Sequence, residues 1–341
     1  MRKRTLGASD MLVGELGIGC WAFGGGNYWG PQDQAVVDNV VDLALDYAVN
    51  YFDTAETYND GASEISLGRA LGSRRHEAVI GSKVWPDHAG AVGVRQALEG
   101  SLRRLDTDYL DVYMLHWPLQ PTPRTELHPQ WQETWETMQA LQQEGKIRVI
   151  GMSNHGKTQM AQVLGRGVPI AVNQLPYSLA SRAIERELMP LCRDEGVGII
   201  AYSPLQQGLL TGKYERVDEV RPNLARTRHF HHLRGGGQSR HHGQGVEEAL
   251  FYMLDELRQL AQAHGVTMGT MALAWAMVPQ EISVTIAGAR TVEQLQNNLK
   301  ATTFAIDKDL VQKLKEISQP VLEGLGPCPD YFEDVEHSRT W

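Results

Sequence analysis

Four titratable side chains stand where short apolar runs give out. Asp53 ends the run Asn50 to Asp53, Tyr58 closes the string DTAETY that follows, Lys83 ends Ala78 to Lys83, and His116 ends Leu110 to His116. Burying any of them alone would cost roughly several kcal/mol, so each needs partners. Together their chemistry is coherent. A phenol with an ordinary pKa of about 10 is a poor acid at neutral pH, and a neighbouring ammonium is expected to lower that value. Asp53 would hold Lys83 in place and charged, while a neutral His116 would orient a substrate carbonyl by donating a hydrogen bond. Tyr58 then becomes a proton donor, working with a hydride source rather than with activated water.

Such residues must be delivered to one place by the chain, and the alternation of segments shows how. Short β-branched or aromatic runs bounded by turn residues alternate with stretches whose apolar residues recur at i, i+3 and i+4. Strands are expected at Leu16 to Cys20, Asn50 to Asp53, Ala78 to Lys83, Leu110 to His116, Val149 to Ser153, Ala171 to Gln174, Gly198 to Tyr202 and Ser283 to Ala287. Helices are expected at Gln34 to Val49, Ser63 to Leu71, Gly90 to Leu105, Pro129 to Gln143, Lys157 to Leu164, Arg182 to Glu195, Val246 to His264, Met268 to Met277 and Val292 to Leu299. Eight such repeats without an internal linker predict an α/β fold, one (β/α)8 TIM barrel spanning residues 1–341, with the active groups at the C-terminal ends of the strands. Two apolar runs around Gly7 and Asp10 predict an N-terminal β-hairpin ahead of the barrel or plugging its floor. Glu215 to Gly245 reads as a long loop at the functional face, more a flap than a linker, and residues 320–341 as a C-terminal tail.

The strings DTAETY, SKVW, LHWP, GMSN (Gly151 to Asn154), NQLPYS (Asn173 to Ser178), AYSPLQQGLLTGKY (Ala201 to Tyr214) and IAGARTVEQLQNN (Ile286 to Asn298) occur in an order that resembles the aldo-keto reductase superfamily. The likeness is nearest to its bacterial and potassium-channel β-subunit-like branch. It implies a TIM barrel, NADP(H) as cofactor, and a catalytic tetrad falling on Asp53, Tyr58, Lys83 and His116. By the same resemblance Ser153, Asn154 and Gln174 hold the nicotinamide carboxamide, and Tyr202 lies against the nicotinamide face. Ser203, Pro204, Leu205, Gln207 and Lys213 form a pyrophosphate loop, with Gly19, Cys20, Trp21 and Asp53 lining the same cleft. Gly288 and Arg290 precede a helix whose N-terminus and guanidinium would meet the adenosine phosphate, favouring NADPH over NADH. Gln294 and Asn298, at i and i+4, would read the adenine. Where relatives often carry a glutamate this chain has Asn297, and a further basic contact falls on Arg226, Arg228 or neither.

Substrate contacts are expected from Trp21, Trp29, Trp85 and Trp117, whose faces suit an aryl or sugar ring. The expected activity is NADPH-dependent reduction of an aldehyde, ketone or sugar carbonyl. Its alternatives are a sugar, cyclitol or alcohol dehydrogenase working oxidatively, or a non-catalytic NADPH-binding regulatory subunit. An intact His116 argues for chemistry, because channel-associated subunits of the superfamily carry another residue there.

Other partners fit poorly. A net charge of −9 repels nucleic acid, and the longest apolar runs stop short of the ~20 residues that span a bilayer. Three cysteines, Cys20, Cys192 and Cys328, form no CxxC, which suits a reducing, cytoplasmic setting. Gly17 to Ala22 matches G-x-G-x-x-A but runs into Phe23-Gly24-Gly25-Gly26, which cannot sustain the helix that fingerprint must open; Gly208 to Lys213 falls one spacer short of a P-loop. Five histidines between His229 and His242 have no regular metal-ligand spacing, so no metal is expected. A small-molecule substrate is the expected partner, and a homo-oligomer is compatible with the chain.

Overall fold

The computed structural model describes residues 1–120 and 126–341. Strands β1 (Lys3–Thr5) and β2 (Leu12–Gly14) form the antiparallel hairpin, with Lys3 opposite Gly14. Eight parallel strands close the barrel: β3 (Leu16–Gly19), β4 (Tyr51–Asp53), β5 (Val79–Val84), β6 (Leu110–Leu115), β7 (Ile147–Ser153), β8 (Ile170–Pro176), β9 (Gly198–Tyr202) and β10 (Ile282–Gly288), which returns to pair with β3. Both faces of these strands are covered; all six residues of β6 are buried.

Around them run α1 (Gln34–Asp46), α2 (Ala62–Leu71), α3 (Gly90–Leu105), α4 (Trp131–Gln143), α5 (Lys157–Leu164), α6 (Leu188–Asp194), α7 (Glu247–Ala263), α8 (Met268–Ala276), α9 (Val292–Leu299) and α10 (Lys308–Leu325). Local chemistry starts them where the sequence demands. The Asp33 carboxylate accepts from the Ala35 N–H at 2.9 Å, and α1 then buries Val37, Val40, Val41, Ala44 and Leu45 along one stripe. Thr291 caps α9 and Asp307 caps α10 in the same way.

The hairpin closes the barrel floor. Leu6 and Val13 join Tyr51, Val112, Met114, Val172, Ile200 and Val284 in the apolar interior. The Arg4 guanidinium reaches the carbonyls of Met277, Pro279 and Ile282, staples that hold the plug to the start of β10. Gly7 turns at φ 59°, and a Cβ there would fall 1.9 Å from the Ala171 carbonyl oxygen, so no larger residue fits this approach.

The functional face carries one element beyond those expected and a set of ties that hold its long segments. Helix α10 was not foreseen, and it runs through Pro320 to Leu325 before the chain becomes irregular, because Leu310, Leu314, Ile317, Val321 and Leu325 keep one apolar stripe in the core on both sides of the proline. The Glu215 to Gly245 segment is tied to the chain around it. Its Arg228 donates to the carbonyls of Leu325, Cys328 and Asp330, and His229 is buried between Thr227 and the Ala180 carbonyl. The tail is equally pinned: Arg339 forms a two-bond fork with buried Asp330, and Gln159 at the start of α5 bonds the backbone of Arg339 and Trp341.

Among the described residues no helix is long and apolar enough to cross a membrane. Burial pulls His155 and His229 down to about 4 from an ordinary 6.5. The unfolded chain takes up these protons below about 6.5 and the folded chain does not, so stability falls as pH drops through that window. Thermal unfolding followed by circular dichroism is expected to show a Tm that declines steadily across it. A Tm unchanged over the window would mean the two imidazoles are not held neutral.

Candidate active site

Strand ends deliver the four expected side chains to one point. Asp53 is the last residue of β4, Lys83 the penultimate residue of β5, and His116 follows β6, its N–H on the Val84 carbonyl at 2.9 Å. Tyr58 opens a turn in which Asn59 and Asp60 are left-handed (φ 51° and 54°), and the Asn59 amide ties that turn to the carbonyls of Trp21 and Phe23. The ammonium of fully buried Lys83 donates to Asp53 Oδ2 at 2.8 Å, to the Thr54 carbonyl at 2.6 Å and to the Tyr58 phenol oxygen at 3.3 Å. All three of its protons are thereby directed. Asp53 Oδ1 accepts from Gln174 Nε2 at 2.6 Å. The His116 ring meets the Tyr58 ring edge-on at a centroid distance of 5.6 Å.

Burial dominates the electrostatics. It pushes the Asp53 carboxyl up and the Lys83 ammonium down, each opposed by the other's charge. Burial, with Asp53 beside it, pushes the Tyr58 phenol well above the ordinary tyrosine range, so the expected lowering by Lys83 is outweighed. Burial and the Lys83 charge hold His116 well below the usual histidine range, a neutral imidazole. Its Nδ1 is buried without a partner. The resting site therefore holds a protonated phenol and a neutral ring over a buried ion pair.

An aromatic wall stands above it. Trp21 stacks on Tyr28 at 4.7 Å, meets Trp29 edge-on at 5.3 Å and leans toward Tyr58 at 5.9 Å. Trp85 packs edge-on against His116 at 5.3 Å. Trp117 is covered by the Arg339 guanidinium, 3.5 Å from its ring centre, so the tail reaches this side of the opening. Tyr28 escaped the sequence reading. Its signal was the aromatic pair Tyr28-Trp29 in a glycine-rich loop, and its hydroxyl donates to Gln207 Oε1 at 2.7 Å across the cleft.

The residues expected to hold a cofactor separate into groups. Ser153, Asn154 and Tyr202 converge: Asn154, left-handed at φ 60°, donates to the His116 carbonyl and to Ser153 Oγ, and accepts from the Tyr202 hydroxyl at 2.8 Å. Gln174 joins them, with its amide donor on Asp53 and its Oε1 left as an acceptor. Beyond β9, Ser203, Gln206, Gln207 and Gly208 all have positive φ (54°, 45°, 54° and 99°), a strained run that encloses Pro204 and Leu205. Lys213 is exposed, near the Tyr214 ring. Gly19 and Gly288 face each other across β3 and β10, leaving that edge of the cleft without side chains.

Other placements differ from the simplest expectation. The Cys20 side chain is sealed in the core, and its carbonyl accepts from Ser63. Asn298 donates to the Gly288 carbonyl, and Gln294 Oε1 accepts from the Arg290 N–H, so both brace the β10–α9 turn. Arg290 extends to the first loop, onto Trp29, Pro31 and Gln32. Arg228 is committed to backbone carbonyls, whereas Arg226 lies between the rings of Tyr28 and Phe332, with its Nε buried and unpartnered. A nicotinamide dinucleotide fits this arrangement. Amide acceptors and donors sit at the barrel mouth, a strained turn suited to anionic oxygens lies midway, and cations flank the route.

Comparison with known proteins agrees with the geometry. The model of the Aldo/keto reductase family matches residues 15–319. The chain is 31% identical to the NADH-specific methylglyoxal reductase of Escherichia coli, over 94% of this chain and 99% of that protein. It is 29% identical to a probable voltage-gated potassium channel subunit beta of Arabidopsis thaliana, over 88% and 91%. An aldo-keto reductase from Klebsiella pneumoniae solved in complex with NADPH superposes with a TM-score of 0.72 at 29% identity, over 94% and 96%. With eight parallel strands closed into a barrel and a family match across most of its length, the chain belongs to the aldo/keto reductase family.

Proposed function

We propose that the chain is an NADP(H)-dependent carbonyl reductase in which Tyr58 supplies the proton. The observation that carries this reading is the Lys83 ammonium bonded at once to Asp53 and to the Tyr58 hydroxyl. What a bound reduced nicotinamide supplies at this place is a hydride, for the carbon of a substrate carbonyl. The carbonyl oxygen would sit between the Tyr58 phenol and the His116 imidazole. With its Nδ1 buried and without a partner, the neutral His116 ring would donate to that oxygen from Nε2. As negative charge develops on oxygen, Tyr58 gives up its proton, and Lys83 at 3.3 Å stabilises the phenolate left behind. A phenol held high by burial thus stays loaded until the reaction itself creates a base.

Ser153, Asn154 and Gln174 would hold the carboxamide, Tyr202 the ring face, the turn at residues 203–208 with Lys213 the pyrophosphate, and Arg290 the adenosine phosphate. Trp21, Trp29 and Trp85 would exclude water around an aldehyde, ketone or sugar. The same groups serve alcohol oxidation by reversal.

Oxidation of NADPH, followed by absorbance across aliphatic aldehydes, aromatic aldehydes, sugars and keto-steroids, is expected to show turnover for at least one class. Tyr58→Phe should lose about 10²- to 10⁴-fold in kcat while NADPH affinity, read by fluorescence quenching, stays close to wild type. Tight cofactor binding with no turnover on any class would point instead to a regulatory subunit.

Lys83→Met leaves Asp53 buried and unpaired, which should cost about 3–5 kcal/mol in urea denaturation. Adding Asp53→Asn should recover part of that loss without recovering activity. A single Lys83→Met variant as stable as wild type would show that the pair is not buried as described.

A further inference from the structure

The Arg290 guanidinium has five N–H groups, and the first loop takes three of them. Nε donates to Gln32 Oε1 at 2.9 Å, one terminal nitrogen to the Trp29 carbonyl at 2.7 Å and the other to the Pro31 carbonyl at 2.7 Å. Gln32 answers with a bond to the Arg290 carbonyl at 3.1 Å. The arginine itself cannot drift, because its N–H is held by Gln294 at 2.7 Å and Thr291 caps the helix that follows. At the loop's other end Tyr28 is tied to Gln207 and to the Asn223 carbonyl. The segment between Gly26 and Gln32 therefore spans the cleft from one wall to the other, held by these ties at both ends.

No carboxylate pairs with Arg290 among the described residues; its guanidinium meets carbonyl and amide dipoles. Two N–H groups remain, enough for the paired oxygens of a phosphomonoester. We propose that Arg290 is a positioning residue that couples recognition of a 2′-phosphate on the adenosine to closure of the loop at residues 26–32, and so to the aromatic wall over Tyr58. The inference rests on the reading of the cleft as a dinucleotide site. A phosphate on the two remaining donors fixes the guanidinium, the guanidinium fixes the backbone of Trp29 and Pro31, and those residues carry the Tyr28–Trp29 pair packed on Trp21. By linkage the closed loop binds the phosphate more tightly in return. A nucleotide with a free 2′-hydroxyl would leave the loop unassisted.

The test is hydrogen exchange, read by mass spectrometry on the full chain, with saturating adenosine 2′,5′-bisphosphate or adenosine 5′-monophosphate. Exchange across residues 24–33 should slow about fivefold or more with the bisphosphate relative to the monophosphate. Arg290→Met should abolish the difference. Gln32→Ala should still bind the bisphosphate by calorimetry yet lose most of the protection. In turnover assays at saturating cofactor, the substrate KM should be lower with NADPH than with NADH, and the gap should close in Gln32→Ala. Equal or faster loop exchange with the bisphosphate overturns the proposal, as does protection that survives Arg290→Met. Loop protection without turnover on any carbonyl would strike the reductase reading and leave the coupling standing.

Discussion

The ion pair between Asp53 and Lys83 lies where water cannot compensate either charge, and that constraint organises the rest of the site. An isolated ammonium at the mouth of an apolar barrel would lose its proton; an isolated carboxylate would gain one. Their separation of 2.8 Å keeps both charges in place, Gln174 takes the second carboxylate oxygen, and the Thr54 carbonyl takes a second ammonium proton. What remains of the ammonium points at Tyr58. A buried pair adds little net stability, but it fixes direction, and direction is what a proton donor needs.

That pair is possible only because a closed parallel barrel brings the ends of β4, β5 and β6 side by side and the end of β8 across the mouth from them. Asp53 lies opposite Gly81 in the register of β4 and β5, and Lys83 lies opposite Met114 in that of β5 and β6. The hairpin plug at the opposite end excludes water from the interior below them. The loop wall and the tail do the same above: Arg228 locks residues 227–230 to the chain after α10, and Arg339 joins Asp330 to the face of Trp117. The rim of the barrel mouth is therefore built from segments that are remote in sequence and held largely by backbone acceptors.

This division explains what could be read from residues alone. The strands were legible because an apolar run ending in a charged residue has few other interpretations; Leu110 to His116 differs from the observed strand only at its last residue. Asp53, Lys83 and His116 were legible for the same reason. Helix α10 was not, because Pro320 reads as a stop although the stripe from Leu310 to Leu325 continues past it. The Arg290 clasp was invisible for a different reason. Its acceptors are the carbonyls of Trp29 and Pro31, and a carbonyl belongs to every residue, so only the path of the chain reveals which ones an arginine meets. The surroundings of Arg226 and Arg228 depend likewise on the path of the chain, one beside aromatic rings and the other on backbone oxygens.

The direction of the Tyr58 shift carries a more general point. From the residues alone the phenol faces only its nearest cation, whereas in the folded site it also faces burial and a carboxylate. The result is a phenol that keeps its proton at rest. The most direct test is a crystal structure of the chain with NADP⁺ and an unreactive carbonyl or carboxylate analogue. The account predicts one ligand oxygen within about 3 Å of both the Tyr58 hydroxyl and the His116 ring. A ligand bound in the cleft with its oxygen on other groups, and Tyr58 turned away from Lys83, would contradict it.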